Sequence, residues 1–170
     1  MRHLLRIAAL AILLAALPDD AARSAAGTDA FDAALAHYEA GDYAGALAAF
    51  RALAQQGHAG AEAMLGMMFF EGEGVAADPV IAAAWFMKSA LKGHASAQLA
   101  LGALYQEGKG VARDPEEAFR WLSLAERAGG SIAEEARRRK AALLRELDPA
   151  TRQRISDALR DWRPNVARPQ

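Results

Sequence analysis

The chain has 170 residues, 20 Lys and Arg against 21 Asp and Glu, a formal charge of −1, and no cysteine. Near-neutral charge gives no general attraction to nucleic acid or anionic lipid, and a cysteine-free chain forms no disulfide, so burial alone must hold the fold. The length suffices for one domain with its own core.

Met1 to Arg6 is basic, Ile7 to Leu17 is an uncharged apolar run of 11, and Pro18 leads into a small-residue stretch ending Ser24-Ala25-Ala26. This is the layout of a secretory signal over 1–26, and the apolar run is too short to span a bilayer. Cleavage is expected after Ala26, because Ser24 and Ala26 are the small residues a signal peptidase requires; an uncleaved anchor helix is the alternative. The expected location is periplasmic or secreted, with no transmembrane helix left after cleavage. Beyond the signal, residues 27–130 carry 7 basic and 13 acidic groups and residues 131–170 carry 10 and 6, a polarised distribution.

Residues 27–58 read as a first, short helix pair, with Gly41-Asp42-Tyr43 as its tight turn. After it, the block Ala61 to Gly93 recurs as Ala97 to Gly129 at an offset of 36, with identical pairs at Leu65/Leu101, Gly66/Gly102, Gly72/Gly108, Gly74/Gly110, Asp78/Asp114, Pro79/Pro115 and Trp85/Trp121. Self-similarity at such a period marks a solenoid, in which each unit buries its apolar face against the next. Within each block, apolar or small residues every four positions (Ala61, Leu65, Phe69; Ala97, Leu101, Tyr105) predict a first helix. Gly66 and Gly102 lie inside that stripe, where a glycine costs helix stability unless a neighbour comes too close for a Cβ. Gly72 and Gly108 supply the left-handed C-cap, and Asp78-Pro79 and Asp114-Pro115 supply an N-cap and a first helical proline for a second helix. Trp85 and Trp121 lie two turns in, and their repeat-locked positions predict core, as for Trp162. Downstream, Ser131-x-x-Glu134 predicts a capping box opening a charged helix to about Leu147, and Asp148-Pro149 starts another ending at Trp162-Arg163-Pro164. These two helices, over 131–164, would cap the stack, with 165–170 a loose tail.

The order A-x-x-x-L-G-x-x-[FY]-x-x-G-x-G-V-x-x-D-P-x-x-A-x-x-W, present twice in this sequence, resembles the Sel1-like repeat, a relative of the tetratricopeptide repeat. The resemblance covers 59–94 and 95–130. The first pair, 27–58, is similar to a tetratricopeptide unit and departs from the Sel1-like pattern by lacking the Gly-x-Gly-Val loop. The implied fold is all-α, a short right-handed α-solenoid of antiparallel helix pairs. The implied role is non-catalytic protein binding in the cell envelope, with partners such as sensor kinases, secretion or polysaccharide-export machinery, or peptidoglycan enzymes.

No catalytic, cofactor or metal site is expected. Gly72-x-Gly74 and Gly108-x-Gly110 follow helices rather than strands and lack the Lys-Ser/Thr of a phosphate loop. His58 and His94 hold equivalent repeat positions about one repeat width, roughly 10 Å, apart, too far for one zinc ion, and are expected at turns or caps. His37 has no nucleophile partner, and no H-E-x-x-H or G-x-S-x-G occurs. Glu116-Glu117 and Glu134-Glu135 are adjacent pairs on helices, pointing about 100° apart rather than facing one another. Arg137 to Lys140 is read as a solvated face.

The remaining candidate is the groove lined by first helices, with Asp32 and Glu39 from the first unit, Met67, Phe70 and Glu71 from the next, and Leu99, Gln106 and Glu107 from the last. An apolar centre at Met67, Phe70 and Leu99 with acidic positions around it suits a peptide carrying Lys or Arg. Two other roles compete with that of a monomeric, partner-bound adaptor: an obligate subunit of an envelope assembly, and a protein that binds or hydrolyses cell-wall ligands.

Overall fold

The computed structural model describes residues 20–160, with side chains from Asp29 onward. Residues 1–19 of the expected signal segment 1–26, and residues 161–170 with Trp162 and the tail, lie outside the described residues. Among the described residues eight α-helices run in order: α1 Asp20–Glu39, α2 Tyr43–Gln55, α3 Ala59–Glu71, α4 Pro79–Leu91, α5 Ala95–Glu107, α6 Pro115–Ala125, α7 Gly130–Leu143 and α8 Pro149–Arg160, with a 3-10 turn Glu126–Ala128 after α6. Consecutive helices pack as antiparallel pairs, α1 with α2, α3 with α4 and α5 with α6, and each pair stacks on the next, giving an all-α solenoid. α1 runs through Ala26, so cleavage there would remove about its first two turns. Asp-Ala-Ala-Arg-Ser-Ala-Ala, rich in the strongest helix formers, accounts for its early start.

The repeated residues act as their chemistry requires. Gly72 (φ +81°) and Gly108 (φ +69°) cap α3 and α5 in the left-handed conformation. The Asp78 carboxylate accepts from the amides of Val80 and Ile81, and Asp114 does the same for Glu116 and Glu117. A Cβ on Gly66 would stand 2.7 Å from the Phe86 ring, and one on Gly102 would stand 2.7 Å from Leu122. Leu65 and Leu101 are fully buried. A further role belongs to the second loop glycine: Gly74 lies against the backbone of Tyr43 at the start of α2, and Gly110 against the Pro79 carbonyl at the start of α4. Each Gly-x-Gly-Val loop therefore rests on the preceding unit's second helix.

Two core clusters form. One joins Ala34 of α1, Leu47 and Phe50 of α2, and Leu65 and Met68 of α3; the other runs from Ala63 through Phe86, Leu101, Phe119 and Leu122 to Ile155 and Leu159 of α8. Polar contacts tie α4 to the start of α3 and to the turn before it. Glu62, almost fully buried, pairs with Lys92 at 2.6 Å; the same ammonium donates to the Gly57 carbonyl, and the Ser89 hydroxyl donates to that of Ala59.

Three readings are corrected. Trp121 is core, 6% exposed, but Trp85 is only half-buried at the edge of the first cluster, with the Lys88 ammonium 4.0 Å above its ring. The capping box at Ser131 does not form: α7 starts at Gly130 behind Gly129 (φ +78°) with no side-chain cap, so Ser131 already lies inside the first turn, and Glu134 is exposed. α7 also stops at Leu143, and Asp148 caps α8 through the amides of Ala150 and Thr151.

Candidate binding groove

Adjacent first helices α3 and α5 scarcely touch, because their contacts go to the second helices between them. The gap is floored by Phe86 of α4, which reaches it over the bare backbone of Gly66. On the α5 side Ala100 and Ala103 line it, at the positions that Met64 and Met67 occupy 36 residues earlier. The result is a hollow of about 360 Å³ with an apolar lining of Met67, Phe70, Phe86, Ala100, Ala103 and Leu104. A second hollow of about 170 Å³ shares Met67, Phe86 and Ala100 with it and extends to Phe31 and His94.

Of the residues expected here, Met67, Phe70, Glu71 and Glu107 come together on the large hollow. Leu99 instead packs half-buried against the core. Gln106 turns toward α7, its side-chain amide donating to the Arg139 carbonyl at 3.4 Å. Asp32 and Glu39 are exposed on α1 and line neither hollow; Phe31 is the first unit's contribution. The sequence reading missed Phe86 and Arg139. Phe86 is signalled by Gly66, since a glycine kept for close approach implies a bulky residue opposite. Arg139 carries no such signal, because α7 does not repeat the pattern that precedes it.

The rim is not the acidic surround that composition suggests. Glu107 is bound by Lys109 at 2.8 Å and Arg139 at 3.1 Å, and these two cations hold its carboxyl below the usual carboxylate range. With Glu71, the rim thus carries two acids and two bases, and among the described residues only Glu71 of the four lacks an ion pair. Nor is Arg137 to Lys140 a free cationic face: the four side chains pair with Glu126, Glu135 and Glu107. On the other flank Tyr38 donates to Glu73 at 2.5 Å, which pushes the phenol up to about 12.

Both repeat histidines sit at N-caps. His58 Nδ1 accepts from the Ala61 amide at 3.1 Å, whereas His94 makes no such bond and its Nδ1 is buried without a partner. Burial, with a smaller contribution from His58, holds the His94 pKa below its ordinary value. Among the described residues no three His, Asp or Glu side chains converge as metal ligands would.

The family model for the Sel1 repeat matches residues 59–94 and 95–130, the two helix pairs that form the groove. The chain carries two Sel1 repeats. Among solved structures it is similar to a protective antigen present in uropathogenic Escherichia coli strains that displays an SLR fold, with a TM-score of 0.69 and 22% identity over 85% of this chain. It spans 34% of that antigen's length. A Sel1 repeat protein from Oxalobacter formigenes aligns over 50% of this chain and 65% of its own, at 35% identity and a TM-score of 0.49. No curated protein matches. Sel1 repeats generally mediate protein–protein contact on typically non-catalytic scaffolds, and no helix among the described residues is long and apolar enough to cross a membrane.

Proposed function

We propose that the protein is a non-catalytic adaptor of the bacterial envelope, exported to the periplasm or secreted, that holds a partner polypeptide in the groove between its two Sel1 repeats. The observation that carries this reading is the 360 Å³ hollow floored by Phe86, with Met67 and Phe70 on one wall and Ala100 and Ala103 on the other. A volume of this size takes a few apolar side chains, and the charged rim of Glu71, Glu107, Lys109 and Arg139 orients the segment that carries them. The basic, apolar and small-residue order of 1–26 supports export.

Capture from envelope extract tests both parts. Tagged protein retains a specific partner, and Met67→Lys with Phe70→Lys releases it while the helical circular dichroism stays unchanged. Equal retention by the variant rules out the groove, and an unprocessed N-terminus on protein recovered from the cytoplasm rules out export.

A further inference from the structure

We infer that the outer face of α4 is a second docking surface, one that takes an acidic amphipathic helix from another protein. It is separate from the groove, since Val80, Ile81 and Leu91 line neither hollow. A second helix facing solvent is expected to be polar on its outer side. α4 is the reverse: Val80 is 64% exposed, Ile81 39% and Leu91 39%. At 100° per residue Val80, Ala84 and Leu91 fall in one stripe, with Ile81 and Lys88 beside it and the half-buried Trp85 at its edge.

The next repeat shows what covers this position. On α6 the places of Val80, Ile81 and Ala84 are taken by Glu116, Glu117 and Arg120, and there the chain's own α8 lies across the helix. Ile155 and Leu159 of α8 are buried, Arg154 pairs with Glu116 at 3.0 Å, and Arg127 donates to the Leu159 carbonyl. Trp121 belongs to the cluster that Ile155 and Leu159 close. On α4 the next repeat's Gly110 loop meets only the Pro79–Val80 backbone, no helix among the described residues lies across the stripe, and Trp85 remains half-exposed. One helix seat is therefore filled and its neighbour is open.

The chemistry of the open seat sets its occupant. The side chain facing Val80 must be aliphatic, where α8 uses an arginine against Glu116. The one charged residue of α4 is Lys88, cationic, exposed and beside the apolar stripe, so the flank of an incoming helix that meets it must carry carboxylates. A second copy of this chain fits poorly: its own amphipathic α8 bears Arg152, Arg154 and Arg160, and two α4 faces would oppose Lys88 to Lys88.

The test is selection of a displayed library of three-turn helices, with leucines fixed in an i, i+4 stripe and random flanking positions, against the whole protein. The enriched helices should be rich in Asp and Glu and should blue-shift tryptophan emission on binding, a shift that Trp85→Phe abolishes. The double variant Val80→Glu, Leu91→Arg copies Glu116 and Arg127 of the second repeat, so it keeps the fold. It should weaken binding at least about tenfold, while Met67→Lys with Phe70→Lys leaves binding unchanged. Basic or neutral winners, no winners, or binding indifferent to the double variant would each overturn the inference. So would a dimer, seen by sedimentation, that the double variant dissolves, because the seat would then belong to a second copy.

Discussion

Two residues at one repeat position separate what a motif fixes from what its surroundings fix. Trp85 and Trp121 are indistinguishable in sequence, yet Trp121 is core in the cluster that runs to α8 and Trp85 is half-exposed at the edge of the first unit's cluster. Trp121→Ala should therefore cost about 3–5 kcal/mol in urea unfolding, and Trp85→Ala less than half of that. The histidines give a second contrast. Both were legible as caps, but only the structure shows that His94 Nδ1 is buried without a partner and that its pKa is lowered. A lowered folded-state pKa means the unfolded chain binds the proton more readily. Stability from this group is complete above the ordinary histidine value of 6.5 and is lost as pH falls through the folded-state pKa. The carboxyls of Glu107, Glu126 and Glu135 are held by their cationic partners below the ordinary carboxylate range, clear of the histidine transition. The urea midpoint should drop as pH falls below about 6.5, and His94→Gln should remove most of that slope.

At the scale of elements, helix ends were readable wherever the chain uses glycine or Asp-Pro. Gly72, Gly108, Asp78 and Asp114 all cap as their chemistry demands. The start of α7 was not readable, since Ser131-x-x-Glu134 matches a capping box while Gly129 and Gly130, both at positive φ, let the chain turn into the helix two residues earlier. The seating of each Gly-x-Gly-Val loop on the preceding unit was also hidden, because the residues it meets are a whole repeat away. This gives a graded prediction. Gly129→Ala (φ +78°, nothing near the added carbon) should cost about 1–2 kcal/mol from backbone strain alone. Gly110→Ala should cost about 2 kcal/mol more, since the same strain is joined by collision with the Pro79 carbonyl. Equal losses in thermal or urea melts would mean the loop shifts freely and does not lock the units together.

For the whole molecule, the sequence gives away the solenoid and the wall that bears Met67, Phe70, Glu71 and Glu107, because repeat periodicity fixes which side of a first helix faces inward. It does not give away the floor or the far rim, which come from Phe86 on a second helix and Arg139 on the non-repeating α7. Charge polarity along the chain is likewise absorbed: the cations of α7 pair with Glu107, Glu126 and Glu135, so what the groove offers a partner is shape and apolar area with one rim carboxylate, Glu71, that has no ion pair among the described residues. The absence of cysteine makes the most direct test simple, because a single Ala103→Cys places the only thiol of the chain on the groove wall. Its alkylation rate is measured in the free protein and in the captured complex. Groove binding predicts that alkylation slows severalfold in the complex while Ala36→Cys on α1 stays fast. An Ala103→Cys thiol that reacts equally fast in both would contradict it.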